Sequence, residues 1–142
     1  MAARCRYEAE VAEVAQLVAD RVDPTGNYRR EVVWQSRSGP RGVPWLEPDV
    51  VDRIRTLAAE GADAVALSPI GFPVENFEIT WDLDVEAAQA AKESGMAFVR
   101  ARTVDDDPRV VTMIASLVSE RTRPAVGKRA ALGALGIAPD TC

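Results

Sequence analysis

The sequence predicts an α/β fold, a three-layer doubly wound parallel sheet with helices on both faces. Three observations carry that reading. Segments of helical period alternate with short apolar runs in the order α-β-α-β-α-β-α, which calls for parallel strands joined by crossover helices. The central run, Ala64-Val65-Ala66-Leu67-Ser68, is apolar without alternation, as in a strand buried on both faces. The chain also opens on a helix with no strand ahead of it, so the sheet is expected to lack its first strand.

Tyr7, Val11, Val14, Ala15, Val18 and Val22 recur at helical spacing, giving an amphipathic helix over 5–22. Asp23-Pro24-Thr25-Gly26-Asn27 breaks it. Residues 31–36 have strand composition and lead into a Gly/Pro turn through Trp45. Pro48 suits the first turn of the next helix, whose apolar face is Val50, Val51, Ile54, Leu57 and Ala58, with Gly61 as its stop. After the Ala64–Ser68 strand, Pro69-Ile70-Gly71-Phe72-Pro73 leads to a long helix from Asn76 to Ser94, capped by Gly95. Residues 96–101 form the third strand, and Asp105-Asp106-Asp107-Pro108 opens the last helix. Beyond Arg123-Pro124 the chain is Ala/Gly-rich and weakly patterned. In a doubly wound sheet the site lies at the carboxyl ends of the strands, which points to loops 36–45, 69–76 and 102–108.

Composition narrows the chemistry. A net charge of −5 without a basic block argues against nucleic-acid binding. No apolar run approaches the roughly 18 residues of a membrane span, and the N-terminus has no secretory pattern, so a cytoplasmic protein is expected. The chain has no histidine, which removes Ser-His and Cys-His catalysis and the common zinc sites from its own repertoire. Cys5 and Cys142 lie at opposite ends and do not read as a structural disulfide in a reducing compartment.

Glu78, Asp82 and Glu86 are spaced i, i+4, i+8, so they share one helix face, with Glu75 just before them. Like charges at this spacing repel by a few tenths of a kcal/mol per pair. Either the line is a solvated acidic face, or it is a ladder of oxygen ligands for a hard or borderline cation. Its place at the mouth of the predicted site favours the ladder. In the turn before it, Arg37 and Arg41 could hold a carboxylate-bearing ligand, and Trp45 could offer a flat apolar face. The alternative there is an ordinary turn with surface arginines and a structural tryptophan.

Together, Trp34-Gln35-Ser36-Arg37-Ser38-Gly39-Pro40, Val43-Pro44-Trp45-Leu46-Glu47-Pro48-Asp49, Pro69-Ile70-Gly71-Phe72, Glu78 and Trp81-Asp82-Leu83-Asp84 resemble the ferrochelatases, in their actinobacterial form. The resemblance runs from about Cys5 to the end and covers roughly the last two-fifths of a complete enzyme. It implies a chelatase-like second domain over 1–122, incomplete, with 123–142 as a tail leading to a cluster-ligand segment. It implies insertion of ferrous iron into coproporphyrin III or protoporphyrin in heme biosynthesis, a lyase reaction. Glu78 would be the catalytic glutamate. Glu78, Asp82 and Glu86 would handle the metal, and Ser36, Arg37 and Trp45 the porphyrin. Fe²⁺ enters as substrate. Many actinobacterial members carry a [2Fe-2S] cluster, for which Cys5 and Cys142 match two of four ligands, so this chain could not complete it alone. The implied partners are coproporphyrin III, ferrous iron and the missing N-terminal half of the same enzyme. One departure matters: Asn76 stands where the family has a histidine, and an amide cannot accept a pyrrole proton at neutral pH. Two rival readings stay open: an inactive truncated or degenerate chelatase domain, and a non-enzymatic metal- or tetrapyrrole-binding module.

Overall fold

A computed structural model of the chain describes residues 6–37, 39–40, 42–122, 129 and 131–137. Cys5, Arg41 and Cys142, each named in the sequence reading, lie outside the described residues. The chain divides into two compact units, Glu31–Thr103 and Met1–Arg30 with Val104–Cys142.

The Glu31–Thr103 unit is mixed helix and strand with a small parallel sheet. Its first helix, α2 (Val50–Ala59), follows α1 (Tyr7–Val22) of the other unit. The Asp49 carboxylate starts α2 by accepting the Val51 and Asp52 amide protons at 2.8 and 3.2 Å. Pro48 therefore precedes the cap, joined to Glu47 by a cis peptide bond, and does not occupy the first helical turn as expected. Gly61, at φ +91°, closes α2 as its position suggested, because the left-handed region is cheap only without a Cβ.

Strands β1 (Ala64–Leu67) and β2 (Ala97–Arg100) pair in parallel, with Ala64 opposite Ala97 and Leu67 opposite Arg100. Two expectations are corrected. Residues 31–36 form no strand; one parallel bridge, Trp34 with Asp49, is their whole ladder, made by Trp34 N–H to Pro48 O and Val50 N–H to Trp34 O. Strand composition supplies propensity, but a strand needs a neighbour to take its hydrogen bonds, and this segment meets a helix start instead. Nor is β1 buried on both faces: Val65 and Leu67 turn inward while Ala64 and Ala66 are exposed.

Between the strands runs a helix that begins at Phe77, is π-helical over Ile79–Ala87, and continues as α3 (Ala88–Glu93). The Ala88 amide is shared between Val85 O and Leu83 O, and the bond back five residues to Leu83 is the one that marks the wider turn. The span matches the expected helix, but its middle is not α. Ile79, Leu83 and Ala87 face inward at a repeat of four, and Ala90 and Ala91 resume the α period. With Val50, Ile54 and Met96 they form the core, against which Val65, Leu67, Phe72 and Phe98 pack. Burying Ile54 and Ile79 fully is worth roughly 1.5–3 kcal/mol each. Arg53 ties residue 31 to α2, holding Glu31 at 2.5 Å and Glu60 at 3.0 Å.

In the other unit, α1 ends at the buried Asp23, whose carboxylate collects Thr25 Oγ1, Asn27 Nδ2 and Tyr28 N–H. The break at 23–27 is thus built around one acid. Asp107 opens α4 (Pro108–Thr122), accepting the Arg109 amide at 2.9 Å. The tail at 134–135 is held to α1 by the Glu13 carboxylate, which accepts the Ala134 and Leu135 amides, and by Arg6, which donates to Leu135 O. Among the described residues no helix is long and apolar enough to cross a membrane.

Candidate active site

The site lies within the Glu31–Thr103 unit, where the turn after Trp34 meets the π-helical segment. Ser36 adopts φ +56°, an unusual region for a residue with a Cβ. That conformation aims Oγ at the helix, where it donates to the Asp82 carboxylate. Gln35 Nε2 donates to the same hydroxyl at 3.3 Å. The contact joins positions 46 residues apart, so both motifs that drew attention in the sequence meet at one hydrogen bond.

Glu78 and Glu86 are exposed and Asp82 is half-buried on the same line. A π-helix has about 4.4 residues per turn, so each four-residue step falls short of a full turn by roughly 30°, where an α-helix overshoots by about 40°. The three acids keep their shared face. Among the described residues, however, no group of three acidic, histidine or cysteine side chains is close enough to enclose one metal ion. Beside the acids runs a second line at the same spacing, Phe77, Trp81 and Val85, all exposed. The Phe77 and Trp81 rings stack at 6.3 Å.

Arg37 is exposed and donates to Val43 O at 2.5 Å, bracing the turn. Trp45 is half-buried, and its Nε1 is buried without a hydrogen-bond partner among the described residues. Asn76 accepts the Ile79 amide proton at 3.0 Å, so its side chain is the helix N-cap.

Sequence reasoning missed what lies under this surface. Arg100, at the carboxyl end of β2, donates from Nε and Nη2 to both Asp84 oxygens, at 2.5 and 2.8 Å, and from Nη1 to Glu75 at 2.8 Å. Thr103 adds its amide and hydroxyl to Glu75, each at 3.1 Å. The Arg100 guanidinium first, and then the Thr103 amide, hold the Glu75 carboxyl below the usual carboxylate range. Nothing in the local sequence marks Arg100. The π turn did leave a trace, since three lines of like character repeat at a strict interval of four: Phe77/Trp81/Val85, Glu78/Asp82/Glu86 and Ile79/Leu83/Ala87.

Comparison with known proteins decides the family. The ferrochelatase family profile matches residues 1–122. The chain belongs to the ferrochelatase family. Its similar relatives include the coproporphyrin III ferrochelatase of Streptomyces griseus, 45% identical over 141 residues, covering 96% of this chain and 38% of the relative. The enzyme of the same name from Nocardia farcinica is 48% identical over 114 residues, covering 80% and 32%. That of Mycolicibacterium smegmatis is 46% identical over 123 residues, covering 84% and 35%. The chain thus spans about a third of the length of the curated relatives it matches. Its donor set does not suffice for a [2Fe-2S] group, since such a cluster takes four ligands, usually thiolates, and the chain has two cysteines and no histidine.

Proposed function

We propose that the chain forms one wall of a coproporphyrin III ferrochelatase site, supplying the acid line along which Fe²⁺ reaches the macrocycle. The observation that carries this is the Ser36–Asp82 hydrogen bond, which brings the porphyrin-side turn and the carboxylate helix together at one point. The names of the relatives support the substrate, and the family membership supports the reaction class.

In this reading, iron insertion requires a metal path, a held macrocycle and acceptors for two pyrrole protons. Asp82 and Glu86 offer oxygen ligands that suit a borderline divalent cation bound weakly enough to move on. Glu78 stands at the N-terminal end of the line, exposed, where a carboxylate can take a proton or touch the arriving metal. Ser36, Arg37 and Trp45 hold the macrocycle, the arginine toward its carboxylates and the indole against its face. Asn76 takes no proton; its amide is committed to the helix cap. The finer architecture belongs to the same proposal: residues 1–122 as the chelatase-like part of a doubly wound three-layer fold, 123–142 as a tail, acting in the cytoplasm with the remainder of the enzyme.

A second reading is favoured by two observations, the absence of histidine and the coverage of about a third of the relatives. On that reading the chain by itself binds cations or tetrapyrrole without turning over. The test is anaerobic iron insertion into coproporphyrin III by the chain mixed with the part of the Streptomyces griseus relative that it does not match. Turnover that falls at least about a hundredfold in Glu78→Gln supports the ferrochelatase site, as expected for loss of a group acting on protons. Binding with no turnover in any mixture supports the module. Equal turnover with and without the Glu78 carboxylate contradicts the assignment.

A further inference from the structure

We propose that Arg100 is a positioning residue that holds the π register of the helix carrying Glu78, Asp82 and Glu86. Its role toward iron insertion rests on the reading of those acids given above; the register it holds does not.

The guanidinium is gripped at two places, one before the helix and one within the wide turn. Glu75 precedes the helix, and Asp84 lies inside the π-helical segment Ile79–Ala87. Only 13% of the Arg100 side chain is exposed, and it comes from the end of β2, a fixed element paired with β1. The two carboxylates are therefore referred to the sheet through one planar, rigid group. Arginine suits this, because its fork can meet one carboxylate side-on through two nitrogens while the third serves another acceptor.

Register and clamp depend on each other geometrically. Relaxing from about 4.4 to 3.6 residues per turn changes the rotation per residue by roughly 18°, so over the five residues from Ile79 to Asp84 the change reaches about 90°. With the helix start fixed by the Asn76 cap, Asp84 would swing off the guanidinium. The fork is satisfied in one register only. The same rotation would move Asp82 away from Ser36, since Asp82 lies in the same segment. Without the guanidinium, Glu75 would keep its Thr103 bonds while Asp84 would lose both of its bonds to the sheet end, and the wide segment would lose that tie to β2.

The register can be read directly, because the Ala88 amide, shared between Leu83 O and Val85 O, reaches an acceptor five residues back. Scalar coupling across that hydrogen bond, measured by NMR on the labelled full chain, identifies the acceptor. In Arg100→Gln the Ala88 amide is expected to couple to Asp84, four residues back, while the amides of α2 and the β1–β2 pair keep their wild-type hydrogen-exchange protection. Arg100→Lys is expected to behave in the same way, because a point charge cannot form the fork. Asp84→Asn breaks one arm without removing the cation and decides the matter if the arginine variants do not fold. Calorimetric titration with Mn²⁺ adds the functional arm, with affinity expected to fall about ten- to hundredfold, as for lost support behind a ligand. A lower melting temperature with the Ala88–Leu83 coupling intact assigns Arg100 to bulk stability and overturns the proposal, as does full restoration by lysine. If wild type binds no Mn²⁺, the metal-path reading of the acids fails and the coupling alone decides the register.

Discussion

Asn76 sits three residues before Ile79 and accepts its amide proton, so its side chain caps the helix. An N-cap of this kind is worth about 1 kcal/mol, and aspartate caps nearly as well as asparagine. Urea denaturation should therefore show Asn76→Ala destabilised by about 1 kcal/mol and Asn76→Asp within a few tenths of wild type. Equal loss in both would mean that the amide nitrogen, which reaches Val74 O at 3.5 Å, matters more than the cap. One residue earlier, Glu75 gives a pH signature. Arg100 and Thr103 depress its carboxyl below the ordinary 4.5, so the folded chain binds that proton less readily than the unfolded chain. The stabilisation is fully present above about pH 4.5 and is lost as pH falls through the depressed folded value. Thermal melts between pH 6 and pH 3 should accordingly fall more steeply for wild type than for Glu75→Gln. Parallel slopes would show that the Arg100–Glu75 pair is not formed.

Among the elements, the π-helical segment joins core to site. Ile79 is fully buried one position after Glu78, so the core fixes the phase at which the acid emerges. Ile79→Ala should cost about 2–5 kcal/mol, the range for a large aliphatic truncated in a packed interior. Chemical denaturation measures it, and a cost below 1 kcal/mol would mean the segment is not packed as described. Most of this element was legible in the sequence: its span, its Gly95 cap and its acid line follow from residue type and spacing. Its register was not, because apolar periodicity at three to four residues also accepts a strict four, and only the coincidence of three four-residue lines hints at the wider turn. The strand expected at 31–36 and not formed has a different cause. Val32, Val33 and Trp34 carry β propensity, yet pairing is a property of the neighbour, and here the neighbour is the start of α2. Arg100 was invisible for a third reason. Its partners lie 16 and 25 positions away, beyond the reach of any local pattern.

At the scale of the whole molecule, the chain carries the acid line, the turn facing it and the core that fixes both, over a length that is about a third of its relatives. A catalytic set acting as a unit loses several orders of magnitude in rate when one member is absent. The 142-residue chain alone is expected to insert no iron into coproporphyrin above the spontaneous rate. The acid line, by contrast, should act without the rest. The most direct test is calorimetric titration of the folded chain with Mn²⁺ or Co²⁺, beside Asp82→Asn and Glu86→Gln. A metal path predicts weak, exchangeable binding that each amide weakens or abolishes, while the stability of the apo chain rises slightly as the repulsion between neighbours is relieved. Cation affinity unchanged in both variants would contradict it and leave a solvated acidic face.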